Sequence, residues 1–290
     1  MQRPELMYVS GCFVPPREAT VSALDAGLLV GAGLFETLRT YGGKPFRLDR
    51  HLARLRASGQ ILRIFVKESD ADIAAILARL VETNGVPDAR VRLTATRGPL
   101  TDPLEDDAAP PATLLVTAGP MTPYPQEFYE RGATAVVSDI RANETDPVVY
   151  HKTTGYMRNM LALRDAHRAR AAEALLFNTR HRLAEGAISN VFVVREGRLE
   201  TPPVEDGLLP GVTRQAVLEL AAQLDVPAEQ RSLTIHALLE ASEVFLTNSI
   251  MEVMPVGRIE AHEVGDGTPG PITRRLAQAY KDLVARETTG

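Results

Sequence analysis

Between Ala118 and Pro125 the chain reads AGPMTPYP, with three prolines in eight residues and no apolar periodicity. Prolines without a periodic pattern punctuate local structure, so the stretch reads as a boundary. The break divides the 290 residues into two patterned halves, in keeping with a prior of roughly 150 residues per domain. The spacing therefore predicts an N-terminal α/β domain over 1–117, a linker over 118–125 and a C-terminal domain over 126–290.

In the first half, Met7 to Val9 and Cys12 to Val14 flank Gly11 as a hairpin, and Leu34 to Tyr41 reads as a strand ending in a Gly42-Gly43 turn. Leu48, Leu52, Leu55 and Leu62 recur at helical spacing. Ser69 with Asp72 forms a capping box before a second helix on Ile73, Ile76, Leu77 and Leu80, which Asn84-Gly85 stops. Arg90 to Thr96 alternates as a strand, Thr113 to Thr117 is a second, and the proline- and acid-rich Gly98 to Pro111 reads as an exposed loop. In the second half the strands are Ala133 to Ser138, Leu175 to Phe177, Asn190 to Val194, Leu199 to Thr201 and Val244 to Thr247. Helices are predicted over Thr154 to Ala171, over Thr213 to Leu224, and from Pro271, at the position that tolerates proline, to about Arg286. There is no internal repeat. The order is too irregular for a Rossmann sheet or a TIM barrel, and the class is α/β in the α+β sense.

Composition narrows the functional classes. The net charge is −5, with arginines scattered and no basic stripe, which argues against a nucleic-acid surface. A single cysteine, Cys12, excludes an internal disulfide framework. No run of about 18 apolar residues spans a bilayer, and the start MQRPELMY lacks a signal-peptide pattern, so a cytoplasmic address is expected. Of 32 basic residues only Lys44, Lys67, Lys152 and Lys281 are lysines.

Common catalytic patterns fail. Gly31-Ala32-Gly33 lacks the third glycine of a dinucleotide loop, Gly43-Lys44 is followed by proline, and no nucleophile elbow occurs. The six histidines show no pair at metal-ligand spacing. Lys152, between Tyr150-His151 and Thr153-Thr154-Gly155, is placed at the mouth of the predicted helix, where the dipole disfavours its cation. A neutral amine suits Schiff-base chemistry, which arginine cannot perform; an ordinary surface lysine is the alternative. Gly207 to Arg214 (GLLPGVTR) puts glycines and a hydroxyl at a helix start, either a phosphate cradle or a plain cap. Glu185 sits among small residues in LAEGAISNVF, an exposed turn charge or a partner for a protonated pyridine. Amine, acid and phosphate cradle together make the constellation for pyridoxal phosphate.

At these residues the sequence resembles the class IV aminotransferases, the fold-type IV pyridoxal-phosphate enzymes. The resemblance runs over nearly the whole chain: GAGLFETLR (31–39), FRLDRHLARL (46–55), KTTGYMRN (152–159), EGAISNVF (185–192), LPGVTR (209–214) and TNSIMEVMPV (247–256). It implies two α/β domains, the C-terminal one a pseudo-barrel that binds pyridoxal 5'-phosphate, and a homodimer acting on a small-molecule amino substrate. It implies Lys152 as the Schiff-base lysine and proton shuttle, Glu185 on the pyridine nitrogen, and Leu209 against the ring. Arg54, Val212, Thr213 and Ser249 would take the phosphate, and Asn190 and Asn248 would belong to the same cofactor-binding blocks. Arg54 lies off the leucine seam of its helix, which leaves both a ligand role and a solvated face open.

Three blocks lean toward 4-amino-4-deoxychorismate lyase: Tyr156 and Asn159 after Lys152 and the Asn248-Ser249 block resemble it more than the aminotransferases, and Arg92 to Gly98 resembles either the lyase or the D-amino-acid aminotransferases. The arginine and histidine that hold the substrate carboxylate in D-amino-acid aminotransferases are absent from Pro99 to Pro103. Arg90 and Arg92 share one face of an alternating strand and suit a carboxylate, or face solvent. Phe35, Arg39 and Tyr156 complete the substrate-side candidates. The lyase is thus the leading expectation, with a transaminase of D-amino acids, branched-chain L-amino acids or amines as the alternative.

Overall fold

The computed structural model describes residues 4–100 and 111–289. Most of the loop predicted over Gly98 to Pro111 lies outside the described residues. The chain forms two compact units: Met1–Thr122 with His151–Gly155 and Val284–Gly290, and Pro123–Tyr150 with Tyr156–Leu283. The division follows contacts rather than chain order, so the short piece carrying Lys152 packs with the first unit.

The first unit runs β1 (Met7–Val9), β2 (Cys12–Val14), α1 (Ala26–Leu29), β3 (Gly33–Tyr41), β4 (Lys44–Pro45), α2 (Leu48–Leu62), α3 (Asp70–Thr83), β5 (Ala89–Thr96) and β6 (Thr113–Pro120). Its strands form an antiparallel sheet in the order β2-β1-β6-β5-β3-β4. Period-2 alternation divides the faces. Leu34, Leu38, Val91, Leu93, Leu114 and Val116 point to one side and are buried with Leu52 and Leu55 of α2 and Ile73, Leu77 and Leu80 of α3. The opposite face presents Phe35, Thr37 and Arg39 of β3 against Thr94, Arg92 and Arg90 of β5. Ser69 and Asp72 form the capping box that the sequence predicts, with the Ser69 side chain accepting from Asp72 N–H and the Asp72 side chain accepting from Ser69 N–H.

The second unit contains α4 (Gln126–Arg131), β7 (Ala133–Ala142), α5 (Met157–Arg168), β8 (Glu173–Asn178), β9 (Leu183–Gly186), β10 (Asn190–Arg195), β11 (Arg198–Thr201), α6 (Val212–Gln223), β12 (Ala228–Gln230), α7 (Ile235–Leu239), β13 (Glu243–Asn248), β14 (Glu252–Ile259), β15 (His262–Glu263) and, up to Leu283, α8 (Pro271–Thr288). A mixed sheet follows the order β12-β11-β10-β13-β14-β7-β8-β9, with β15 on β14, and curls as a half-barrel. Parallel pairing of β14 with β7 and of β7 with β8 needs crossover connections, and α5 supplies the second of these. Every residue of β8 is buried, because apolar clusters cover both of its faces: Leu175 and Phe177 pack with Val193 and Leu246, while Ala174 and Leu176 pack with Ala162 and Ala166 of α5.

Candidate active site

In the first unit the site is built where residues 151–155 join the edge of β3. Phe35 N–H donates to Lys152 C=O at 2.8 Å, Thr154 N–H donates to Gly33 C=O at 2.9 Å, and Thr153 forms an antiparallel bridge with Leu34. The helix expected from Thr154 starts only at Met157. Lys152 therefore stands on an extended segment and not at the mouth of a helix, and the dipole argument made from sequence does not apply to it. Its Nζ lies 4.5 Å from the centroid of the Phe35 ring, and the Arg92 guanidinium carbon lies 3.8 Å from the same ring. One aromatic ring thus gathers the amine and a guanidinium group.

Further along the same face, Arg39 is paired in register with Arg90 and stacks on Tyr41 at 4.3 Å. Arg90 is exposed, while Arg39 and Arg92 are half-buried. The residues that β3, β5 and β6 direct to this face include no aspartate or glutamate.

Arg54 points to the helix-covered side of the same sheet. Its Nε and Nη2 donate to the two Glu36 carboxylate oxygens at 2.8 and 2.7 Å, and His51 Nδ1 lies 2.8 Å from Glu36 Oε2. Burial pushes the Glu36 carboxyl up, but the Arg54 charge and the hydrogen bonds from His51 and Arg54 outweigh it and hold it at about 2. Burial pushes the His51 imidazole down. Arg54 is not on a solvated face: its side chain is 12% exposed and its fork is oriented by a buried acid. Glu36 was missed in the sequence, although an acid alternating with Leu34 and Leu38 on a core-facing strand edge is itself a signal, since a buried charge needs a partner.

In the second unit three loops meet. Glu185 is buried, with 7% exposure, and its Oε2 accepts from Leu209 N–H at 3.0 Å. Asn190 Nδ2 donates to Leu209 C=O at 2.9 Å. A Cβ on Gly211 would stand 1.9 Å from Asn190 Oδ1, so only glycine fits there. Gly211 precedes α6, whose first turn receives no side-chain cap, and Val212 and Thr213 open that helix, both buried. Asn248 donates to Ile188 C=O at 2.9 Å and accepts from Ile250 and Met251 N–H at 2.8 Å each, shaping the turn that carries Ser249. Tyr156 Oη and Asn159 Nδ2 both donate to Ala187 C=O, at 3.0 and 2.8 Å. Three residues that set the chain apart at the sequence level, Tyr156, Asn159 and Asn248, thus brace the loop after Glu185.

These features fit a phosphate-bearing pyridine cofactor. A glycine-preceded helix N-terminus of 12 residues without a side-chain cap offers N–H groups to an anion, Glu185 is a buried acid, and Lys152 is an amine beside an aromatic ring. No group of three or more metal-ligating side chains occurs among the described residues.

The family model for amino-transferase class IV matches residues 33–259. A provisionally named branched-chain-amino-acid aminotransferase of Methanocaldococcus jannaschii is 33% identical over 277 residues, 96% of each chain. A D-alanine aminotransferase of Listeria monocytogenes is 30% identical over 283 residues, 97% of this chain and 96% of that one. The branched-chain amino acid aminotransferase of Escherichia coli superposes with a TM-score of 0.92 at 29% identity, covering 99% of this chain and 96% of its own. Another branched-chain amino acid aminotransferase, solved with pyridoxamine 5'-phosphate, gives the same TM-score of 0.92 at 30% identity, covering 100% of this chain and 98% of its own. A provisionally named 4-amino-4-deoxychorismate lyase from Legionella pneumophila gives a TM-score of 0.82 at 25% identity over 91% of this chain and 95% of its own. With the family model matched over most of its length and a relative 33% identical over 96% of it, the chain belongs to the class IV aminotransferase family of pyridoxal-phosphate-dependent enzymes.

Proposed function

We propose that the chain acts on an amino substrate bearing two carboxylates, as a 4-amino-4-deoxychorismate lyase that releases pyruvate and 4-aminobenzoate. The observation that carries this reading is the sheet face beside Lys152. Like charges placed directly opposite on a sheet destabilise it, yet Arg39 faces Arg90 in register and Arg92 lies one pair along on the same face. Three guanidinium groups on one sheet face suit a dianion, and 4-amino-4-deoxychorismate carries two carboxylates.

In this reading Lys152 is the residue joined to the cofactor, and its Nζ moves the proton at the substrate carbon that bears nitrogen. Glu185 pairs with the ring nitrogen, Arg54, Val212, Thr213 and Ser249 take the phosphate, and Leu209 packs on the ring. Asn190 and Asn248 hold the backbone that presents these groups. Bound, the cofactor supplies an electron sink for the carbon next to the amine. Phe35 and Arg92 orient the substrate over Lys152. A homodimer is part of the proposal, supported by the apolar exposure of Leu24, Leu28, Leu29 and Val30 around α1.

Transamination is the second reading, favoured by relatives named as branched-chain and D-alanine aminotransferases. One assay separates the two. Purified protein loaded with pyridoxal phosphate is given 4-amino-4-deoxychorismate, and pyruvate is followed beside 4-aminobenzoate. It is then given amino acids, and pyridoxamine phosphate is followed. Equal amounts of pyruvate and 4-aminobenzoate are expected, with both products and the visible cofactor band lost in Lys152→Ala. Rapid pyridoxamine phosphate formation without pyruvate would overturn the lyase reading in favour of transamination.

A further inference from the structure

The side chain of Lys152 must leave its segment on the face that holds Phe35 and Arg92. Strand residues alternate faces, so a slip of one residue would turn it to the other side. Backbone pairing of this segment is short: Phe35 N–H to Lys152 C=O, Thr154 N–H to Gly33 C=O and the Leu34–Thr153 bridge. Two side-chain contacts hold its ends. Thr154 Oγ1 donates to Gly31 C=O at 2.9 Å, and at the other end His151 Nδ1 lies 2.9 Å from Ser58 Oγ. Ser58 is buried in the middle of α2, one helical turn beyond Arg54 and so on the same side of the helix.

We infer that Ser58 and His151 are a positioning pair that fixes the register of the Lys152 segment against α2. The inference rests on the proposed role of Lys152. Its physical content is that one rigid helix sets two points at once: Arg54, oriented by Glu36, and the backbone from which Lys152 projects. No motif in the sequence joins position 58 to position 151, and neither residue touches the reacting atoms in this reading.

A single net hydrogen bond is a factor of roughly five to ten in an equilibrium constant. The test uses the full chain with and without pyridoxal phosphate and the variants Ser58→Ala, His151→Leu, their double variant, and His151→Asn, whose amide reaches the position of Nδ1. Amide hydrogen exchange of 151–155 is measured in each. Cofactor uptake is followed by absorbance, and the labelled lysine is mapped after borohydride reduction. Exchange in the segment is expected to rise about five- to tenfold in Ser58→Ala and in His151→Leu, with a matching loss of cofactor affinity. The double variant should be no worse than either single, because both remove the same bond, and His151→Asn should recover most of the loss. Unchanged exchange in the single variants overturns the inference, as do additive effects in the double variant. Absence of label on Lys152 in the wild-type chain instead overturns the proposed role of the lysine, so the two failures are told apart.

Discussion

Glu173 and Glu36 are both fully enclosed carboxyls, and the structure treats them in opposite ways. At Glu36 the Arg54 fork overcomes burial. At Glu173 burial dominates and pushes the carboxyl up to about 7, with the Ser189 hydroxyl and the N–H groups of Ala174 and Ile188 only partly offsetting it. A carboxyl whose folded pKa is raised binds its proton more tightly in the folded state, so this group's contribution to stability falls as pH rises from about 4.5 to about 7 and is flat above. In Glu173→Gln the pH dependence of chemical denaturation between 5 and 8 is therefore expected to flatten; a slope equal to that of the wild type would show that Glu173 does not titrate there. The acid lies behind the loop that follows Glu185, and Gly186 leaves no room for a Cβ between Glu173 and Ser189. The sequence makes Glu173 readable only as an acid ahead of an apolar run, because the Ser189 partner that makes its burial tolerable lies 16 residues on.

Among the elements, α8 has a legible start and a hidden cap. Pro271 marks the first turn, but the orphan N–H groups of Ile272 and Thr273 are taken by the two carboxylate oxygens of Glu243, at 3.0 and 2.6 Å. Gly270 is required beside it, since a Cβ there would lie 2.2 Å from the Glu243 carboxyl carbon. Glu243→Ala is expected to destabilise the fold by about 1–2 kcal/mol, as loss of a capping carboxylate does, and an unshifted urea midpoint would count against the cap. Strongly periodic elements such as α2, α3, β3 and β5 follow from spacing alone. The short helices α1, α4 and α7 do not, having too few turns to display a period. The late start of α5 at Met157 was also out of reach, because β3 captures residues 152–154 as an added edge and so keeps them out of the helix.

For the whole molecule, the apolar residues around α1 bear on assembly. Leu24, Leu28 and Val30 are 67%, 69% and 65% exposed, and exposed large apolar side chains close together in sequence are candidates for an interaction surface. If these residues cover one another in a homodimer, Leu28→Glu should raise the monomer fraction in sedimentation velocity; a wild-type chain already monomeric at tens of micromolar would rule the dimer out. No described helix is long and apolar enough to cross a membrane.

The sequence by itself determined the family, and it singled out Lys152 as the candidate for Schiff-base chemistry, since that chemistry admits lysine and not arginine in a chain where 28 of 32 basic residues are arginine. These are properties of residue type and local spacing. Only the tertiary structure decided that the lysine rides on the edge of the first sheet, that Glu36 and His51 orient Arg54, and that Tyr156, Asn159 and Asn248 brace a loop. Such roles are set by partners tens of residues away, through hydrogen-bonding groups that burial forces to find one another, and no local pattern records which partner each will find.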